Sequence, residues 1–486
     1  MKALWLSLVL LTLAAPARAH IGSKDVFEQI SVGGYKLFVT IRTPTVIPGV
    51  ATLEIRSTGA RVDAIRITPI PLTGEASKHP PTADPMQVSA DDPAFFTGSL
   101  WLMASGSWQV RIQIEGAAGA AMAGIPVPAI PLSILPMQRP LGTALAILGL
   151  ILTLGMAGIV AAAVRESRLA PGAEPAPDRR RRAAIAASVT LALMVLALYG
   201  GAKWWHVEAA GYAKDIYQPS DLHIALNGNE LHLSIGDYNE KKKRWEPDST
   251  SDFLLDHGKI MHLYAIRQPG MDAAFHLHPE PVSGGDSDID LKTVLPTMPP
   301  GDYKLYADVV QHSGFPETLT ANLTVPSGLP PEPLAPDDAS ALPPPLAGGD
   351  LGTSYKLPDG YTMVWDRPAE ITASTPYSFR FRLLDPTGKP AAEMQPYLGM
   401  AGHAAFVKTD GTTFAHTHPE GSAAMPAVML ANPSETVAGA GEMTMQPISP
   451  TVEFPYGFPS PGHYRIFIQM KHGGTVETGV FDAQVH

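Results

Sequence analysis

Two uninterrupted apolar runs constrain this 486-residue chain more than any other feature of its sequence. Residues 141–164 and 183–202 contain no charged side chain and no histidine. As a helix, each run is long enough to cross the hydrocarbon core of a bilayer, which requires about 20 residues. Because transporters and proton relays bury ionisable groups in their helices, we expect these two helices to act as anchors in the lipid bilayer.

The charges around the two runs predict how the chain crosses the membrane. Residues 165–182, between the runs, are rich in arginine, and the positive-inside rule places such a loop in the cytoplasm. Residues 1–19 have the basic start, short apolar run and small-x-small ending of a cleavable signal peptide, the alternative being an uncleaved anchor. The sequence therefore predicts a bacterial inner-membrane protein whose folded domains face the periplasm.

The composition of the chain favours strands and excludes several kinds of chemistry. With 48 prolines, 44 glycines and 17% charged residues, short strands joined by turns are expected. The net charge of −11 argues against nucleic acid as a partner, since phosphate binding needs clustered cations. Cysteine is absent, so neither disulfides nor thiolate ligands are available. Soft-metal chemistry would have to rely on histidine and methionine.

Alternation of apolar and polar residues predicts β-domains on both sides of the helix pair. It is clear before the first run, at residues 36–42, 51–56 and 108–114. Such short-range repetition of strand patterns with Pro and Gly between them is typical of a β-sandwich.

We therefore predict a mainly β protein, made of three β-sandwich domains of Ig-like or cupredoxin-like type and a two-helix transmembrane hairpin. The predicted β-domains cover residues 20–135, 206–325 and 353–486. Residues 326–350, rich in proline, alanine and glycine, are expected to form a semi-rigid linker.

The last two β-domains contain the same features in the same order. Each has a histidine, then a His-x-His-Pro-Glu motif (276–280 or 416–420), then Pro-Gly-x-Tyr (300–303 or 461–464), then a further histidine. The first histidine precedes its motif by 14 residues in one domain and 13 in the other. This agreement predicts that the two domains are structural repeats.

The repeated histidines predict metal binding. Alternate residues of a strand share one face, so each His-x-His pair presents two imidazoles side by side, and a hairpin partner would add a third. Three or four convergent imidazoles bind Cu(II), Zn(II) or Ni(II). The alternative is that these histidines bond to backbone at strand ends. The predicted ligands are His262, His276, His278 and His312 in one domain and His403, His416, His418 and His472 in the other.

Two further features point to copper without deciding it. Four methionines follow the second motif, and thioethers select Cu(I), although methionine also fills gaps in cores. They are Met425, Met429, Met443 and Met445. Cleavage after Ala19 would leave His20 with a free amine and an imidazole, which with His79 would chelate copper in a brace geometry.

Parts of the sequence resemble known exported domains. Residues 44–54, 97–98 and 106–110 resemble the YtkA-like and FixH-like families of small exported β-domains. FixH-like proteins are associated with cation pumps and cytochrome oxidase assembly, so the resemblance implies copper delivery to a metal-trafficking or oxidase-assembly partner. The N-terminal His20 resembles that of CopC-like periplasmic copper carriers. The C-terminal repeats resemble uncharacterised bacterial exported domains with an His-x-His-Pro motif.

The leading functional prediction is a membrane-anchored periplasmic metal-binding protein for copper handling, delivery or resistance, with zinc as the second candidate metal. One alternative is a non-metal envelope scaffold built of Ig-like modules. Another is a cupin-like metal-dependent enzyme, but the second cupin motif expects a histidine soon after its Pro-x-Gly turn, and His312 lies 11 residues beyond Gly301. No catalytic triad, phosphate loop or paired-carboxylate pattern is recognisable, so an enzyme is not the leading prediction.

Overall fold

Antiparallel sheets and two long helices form the part of the chain that the computed structural model describes. That part comprises residues 24–170, 172–214, 216–239, 244–247, 252–282, 290–346, 350–433 and 448–486. The predicted signal peptide, His20, Met443 and Met445 lie outside it. The prediction of a mainly β chain with two apolar helices is confirmed. Residues 131–217 form one unit, and the chain on either side of them forms another.

The helical unit consists of α1 (Arg139–Glu166) and α2 (Pro177–Lys214). Both helices are long and apolar enough to cross a membrane, with mean hydropathies of 2.5 and 2.1 over their most apolar windows. Both extend beyond the apolar runs because intrahelical hydrogen bonds continue through polar flanking residues once a helix has formed. Proline at the first turn suits each start, since the amide it lacks would have no helical partner.

The region before the helix pair, residues 24–130, contributes two sheets and is called the N-terminal region. The sheets have strand orders β1-β2-β3-β7-β6 and β5-β4-β8-β9. The strands are β1 (Val26–Val32), β2 (Tyr35–Arg42), β3 (Gly49–Ser57), β4 (Val62–Pro71), β5 (Asp84–Pro85), β6 (Gln87–Val88), β7 (Phe95–Leu102), β8 (Gly106–Gly116) and β9 (Ala121–Ala129). The predicted alternation holds in β2, where Leu37, Val39 and Ile41 are buried in one core.

Residues 218–346, called the first repeat, contribute two more sheets. Their strand orders are β10-β11-β17-β16, with β12 beside β11, and β13-β18-β14-β15-β20, with β19 beside β18. The strands are β10 (Asp221–Asn227), β11 (Glu230–Asn239), β12 (Arg244–Pro247), β13 (Phe253–Leu254), β14 (His262–Arg267), β15 (Ala274–Leu277), β16 (Glu280–Pro281), β17 (Asp290–Val294), β18 (Gly301–Gln311), β19 (Pro316–Val325) and β20 (Ala339–Ala341).

Residues 350–486, called the second repeat, follow the same plan. Their sheets have strand orders β21-β22-β23-β27 and β24-β28-β25-β26, with β29 beside β28. The elements are β21 (Ser354–Lys356), β22 (Thr362–Trp365), β23 (Tyr377–Leu384), β24 (Met394–Gln395), β25 (His403–Lys408), β26 (Phe414–Thr417), the helix α3 (Met425–Ala431), β27 (Thr451–Tyr456), β28 (Gly462–His472) and β29 (Thr475–Val485).

The two repeats match in register as well as in order. Tyr264 lies opposite His276 in the first, and Ala405 lies opposite His416 in the second. The tyrosine of each Pro-Gly-x-Tyr turn is buried, and its hydroxyl donates to a carbonyl four residues earlier, at 2.7 Å for Tyr303 and 2.8 Å for Tyr464. The repeat in the sequence is therefore a repeat in the fold.

The segment predicted as a linker takes part in the first repeat. Within it, β20 pairs with β15, so that His276 lies opposite Ala339. Asp338, just before β20, is buried. Composition alone does not reveal this strand. The small residues between the prolines fit against the edge of β15, which would otherwise have no partner.

The repeats pack against each other through a shared core. Tyr264 and Tyr306 contribute from the first repeat, and Phe414 stacks on Tyr306 with ring centroids 4.5 Å apart. Arg465 is fully buried: its guanidinium pairs with Asp482 and also donates to the carbonyls of Met271 and Pro344. This packing fixes the faces on which the motif histidines lie.

Candidate metal centre

Seven histidines meet where β14 and β15 of the first repeat face β25 and β26 of the second. Their side chains are buried, and neighbouring ring centroids lie from 4.4 Å (His276 to His278) to 6.4 Å (His257 to His262) apart. The members of this seven-histidine cluster are His257, His262, His276, His278, His403, His416 and His418.

The strands place these side chains as the sequence pattern predicts. His262 begins β14 and His403 begins β25, each beside the strand that leads into its own His-x-His motif. Six of the seven therefore come from the repeated motif histidines. The seventh, His257, comes from a turn before β14 whose backbone φ is +51°.

The cluster contains two triads in which one nitrogen of each ring lies within 4.8 Å of the others. The first triad is His262, His276 and His278, all from the first repeat. The second triad is His257, His403 and His418, which combines one residue of the first repeat with two of the second.

Hydrogen bonds to the outer nitrogens favour one tautomer for each ring of the first triad. His262 donates Nε2–H to the carbonyl of Asp256 at 3.2 Å, and His276 donates Nδ1–H to Oε1 of Gln469 at 2.8 Å. His278 donates Nδ1–H to Asp338 at 3.0 Å. A neutral imidazole carries one proton, so the inner nitrogen of each ring bears a lone pair.

These lone pairs converge without a donor between them. Nδ1 of His262 and Nε2 of His276 lie only 3.1 Å apart, and Nε2 of His278 is buried without a hydrogen-bond partner in the described chain. Two acceptors at this distance repel unless a cation lies between them. A tetrahedral metal with bonds of about 2.0–2.1 Å would separate its nitrogen ligands by about 3.3 Å, close to the distance observed.

The second triad has fewer hydrogen bonds to its rings than the first, and it too contains buried nitrogens without a hydrogen-bond partner in the described chain. His403 has neither nitrogen hydrogen-bonded within the described residues. His257 bonds the backbone of Leu398, while its buried Nε2 makes no hydrogen bond and lies 3.5 Å from a carboxylate oxygen of Asp256. Buried nitrogens left unpaired cost about 1–3 kcal/mol each, and a bound metal ion would satisfy several of them at once.

His416 belongs to neither triad and lies between them. Its ring centroid is 5.0 Å from that of His262 and 5.3 Å from that of His403. Nδ1 lies 3.4 Å from Asp308, and Nε2 has no hydrogen-bond partner in the described chain. His416 is thus available to either triad through Nε2.

The electrostatics of the cluster favour neutral imidazoles with free lone pairs. Burial is the main cause of the lowered pKa values, and at each ring so affected except His278 the neighbouring rings add to it. It lowers the pKa of His257 to about 4, that of His278 below its usual value, and those of His262, His276, His403 and His418 well below it. Three carboxylates, those of Asp256, Asp308 and Asp338, lie beside the rings and would offset the charge of a bound cation.

A cavity of about 100 Å³ reaches the cluster from one side. Asp256, Asp308, His416 and His418 line it, together with Pro128 and neighbouring residues of the N-terminal region. The cavity is large enough for a few water molecules or a diatomic gas. It connects the cluster to the junction of all three β-regions.

Four predicted ligands are not in the cluster. His472 groups instead with Asp359 and Glu477. His312 is exposed, and its N–H donates to the carbonyl of Asp252. His79 has a side chain 79% exposed beside Glu75, and His20 lies outside the described residues. The strand after each Pro-Gly turn runs alongside the hairpin, passes His262 at Asp308 or His403 at Gln469, and continues for three or four residues, so that its final histidine lies beyond the cluster.

Of the two described methionines predicted as ligands, Met429 is exposed on α3. Met425 is half-buried and bonds the carboxylate of Asp256 through its backbone N–H.

His257 is the member of the cluster that sequence reasoning missed. The matching turn of the second repeat, closed by a bridge between Tyr397 and Met400, has Leu398 at φ +49°. Aligning the two turns would have shown a histidine in one repeat where the other has leucine.

Comparison with known proteins places the repeats in no family of known function. Residues 225–327 and 355–486 match the sequence model of a family described as a domain of unknown function (DUF8832). The matched stretches contain the whole seven-histidine cluster. No curated protein matches the chain.

Solved structures resemble the chain only weakly. Dimeric latent PorU from Porphyromonas gingivalis is 8% identical, and its TM-score is 0.16. The match covers 95% of this chain and 34% of the PorU chain. Alpha-2-macroglobulin from E. coli is 10% identical, with coverages of 93% and 26% and a TM-score of 0.16. A fragment of a 1.5-MDa bacterial ice-binding adhesin is 8% identical, with coverages of 92% and 98% and a TM-score of 0.14. The chain spans about a third of latent PorU, and TM-scores this low support no inference.

Proposed function

We propose that the protein is a membrane-anchored copper-binding protein that holds two copper ions in the seven-histidine cluster. The observation that carries the proposal is the pair of lone-pair nitrogens of His262 and His276, 3.1 Å apart, whose outer nitrogens are already committed to oxygen acceptors. Each triad would bind one ion. His416 would complete either coordination sphere.

Copper fits this ligand set better than the other common metals. Magnesium and calcium prefer oxygen ligands, whereas an all-imidazole site suits copper and zinc. Among divalent ions Cu(II) binds nitrogen ligands more tightly than Zn(II) does, and Cu(I) brings only one positive charge into a buried site. Zinc is the second candidate metal.

The proposed location is the periplasmic face of the bacterial inner membrane. The chain before the helix pair and the chain after it form one unit, which requires both to be on the same side of any membrane that α1 and α2 cross. The arginines of residues 165–182 favour the cytoplasm for the loop between the helices. We further propose that the sheets of each β-region pack as an Ig-like sandwich. Protease treatment of spheroplasts should cleave the β-regions and spare the loop.

A copper titration tests the function. The full-length protein, purified in detergent without an immobilised-metal step, should retain two Cu(I) per chain against a competing chelator. The double variant His276→Ala/His403→Ala, which removes one ligand from each triad, should lose both ions. His312→Ala, which changes an exposed histidine outside the cluster, should retain both. Binding no tighter than micromolar, or binding unchanged in the double variant, would contradict the proposal.

A metal-dependent enzyme is the second candidate function, favoured by the cavity beside His416 and His418. The cavity has room for dioxygen or a few water molecules beside these rings. Dioxygen uptake by the Cu(I)-loaded protein, measured with an oxygen electrode in the presence of a reductant, would support an oxidase. Stable Cu(I) in air would support storage or delivery instead.

A further inference from the structure

The second repeat carries another cluster of metal-binding groups, away from the seven histidines. His472 ends β28, Glu477 lies across the hairpin in β29, and Asp359 comes from the turn between β21 and β22. One donor atom of each lies within 4.8 Å of the others, and Nε2 of His472 is 3.1 Å from Oδ2 of Asp359. Three separate segments therefore bring their polar groups to one point.

The cluster is built into the fold rather than spread over the surface. His472 is 6% exposed and Glu477 is 7% exposed. Tyr361 stacks on the His472 ring with centroids 4.1 Å apart, which fixes the ring orientation. The carboxylate of Glu477 accepts no hydrogen bond from the described residues. A buried carboxylate without a donor is costly unless a cation or proton compensates it.

The first repeat provides an internal comparison. Glu317 lies opposite Val309, as Glu477 lies opposite Met470, so the two glutamates hold equivalent positions in their hairpins. The position equivalent to His472 is Gln311, whose amide donates to Glu317 at 3.1 Å. The backbone N–H of Ser220 donates to the same carboxylate at 2.8 Å.

The second repeat thus replaces hydrogen-bond donors with further metal ligands. An imidazole stands where the amide of Gln311 stands in the first repeat, and a second carboxylate, that of Asp359, is added. Two carboxylates cannot satisfy each other when both are ionised, whereas a divalent cation would satisfy both and the imidazole.

We propose that Asp359, His472 and Glu477 form a second metal site, specific for a divalent cation of borderline hardness such as Zn²⁺. One nitrogen and two oxygen ligands match zinc and are a poor set for Cu(I), which prefers softer ligands. The Asp359 side chain is 32% exposed, so a coordination position faces solvent and is open to water or to an external ligand. The site does not depend on the copper centre.

The test measures zinc on the full-length protein in detergent, after chelator treatment and dialysis against buffered Zn²⁺. His472→Gln recreates the pair seen in the first repeat and should preserve the fold while losing one zinc equivalent relative to the unaltered protein. Glu477→Gln should lose the same equivalent. His312→Gln serves as the matched control at an exposed position and should lose none.

Co²⁺ gives an independent readout, because its visible absorption reports a protein-bound ion directly. The absorption difference between the unaltered protein and His472→Gln should correspond to one site. Equal zinc stoichiometry and equal Co²⁺ spectra in the two proteins would overturn the proposal. The double variant His276→Ala/His403→Ala should keep this zinc equivalent, and His472→Gln should keep its copper, so failure of one site is distinguishable from failure of the other.

Discussion

A single carboxylate orients the His278 ring. Asp338 accepts the Nδ1–H of His278 at 3.0 Å, and the backbone N–H of the same histidine at 3.1 Å. Carboxylates behind a metal-binding imidazole raise its basicity, and their loss commonly costs about 10- to 100-fold in metal affinity. Asp338 connects the segment predicted as a linker to the proposed centre.

Asp338→Asn should therefore weaken copper binding at the first triad by about 10- to 100-fold while leaving the fold intact, since the amide oxygen can still accept both hydrogen bonds. Competition with a Cu(I) chelator measures the change. Asp337→Asn is the matched control, because the Asp337 carboxylate pairs with Lys259 and Lys471, each at 3.7 Å, and forms no hydrogen bond to a cluster histidine within the described residues. Equal affinities in the two variants would show that Asp338 has no role in binding.

Glu28 should lower the stability of the fold as pH rises, whereas an acid in a salt bridge raises it. It is buried, and burial raises its pKa from 4.5 to about 8. Between these values the folded protein holds a proton that the unfolded chain has released, so stability falls as pH rises, by at most about 1.4 kcal/mol per pH unit. It levels off above pH 8.

The lowered pKa values of the cluster histidines make the stability of the metal-free protein rise with pH up to about 6.5. The fall in apparent unfolding temperature caused by Glu28 is therefore expected between pH 7 and pH 8. Glu28→Gln should remove part of that fall, because the amide does not titrate. Glu115→Gln changes an exposed residue of the same region and should leave the pH profile as it is. Parallel profiles for all three proteins would contradict the assignment.

At the scale of elements, β28 holds the two repeats together through Arg465. Its guanidinium makes bonds to Asp482 and to two carbonyls of the first repeat, those of Met271 and Pro344. Removing one partner from a buried ion pair leaves an uncompensated charge and typically costs about 3–5 kcal/mol. The faces that carry the histidines would then lose their fixed alignment.

Arg465→Met should lower the apparent unfolding temperature and weaken copper binding at the second triad, which combines residues of both repeats. The control is Arg380→Met, which removes an arginine 54% exposed beside Glu453 and should cost only about 0–1 kcal/mol. Calorimetry and chelator competition measure the two effects. Unchanged copper binding in a destabilised Arg465→Met protein would mean that the repeats need not be aligned for binding.

At the scale of the whole molecule, copper should stabilise the protein by mass action. A ligand that binds only the folded state adds about 2.7 kcal/mol at 100 times its dissociation constant. Adding Cu(I) should raise the apparent unfolding temperature of the unaltered protein and leave that of His276→Ala/His403→Ala unchanged. Equal shifts in both proteins would place the bound copper elsewhere.

Local patterns in the sequence predict much of this architecture. Uncharged runs predict the helices, alternation predicts strands such as β2, and the motif spacing predicts that His262 faces His276 across a hairpin. These features depend on near neighbours in the chain or on one strand partner.

Contacts between regions are not encoded in such patterns. His257 reaches the second triad, and β20 leaves the predicted linker, because of how the surfaces of the repeats fit together. Order along the chain likewise does not reveal how far β18 and β28 continue past His262 and His403, which leaves His312 and His472 beyond the motif site. The metal-binding function itself remains a prediction.

The contacts of β1 limit the order in which parts of the molecule can fold during synthesis. β1 is hydrogen-bonded to the loop that follows His418. The N–H of Phe27 donates to Oγ of Ser422, and the carboxylate of Glu28 accepts from the N–H of Ala423, each 395 residues later in the chain. During synthesis β1 therefore stays without this partner until the loop has been made, after both helices. We expect a chain released early to be unable to close this junction, so the histidine cluster would be completed only in full-length protein.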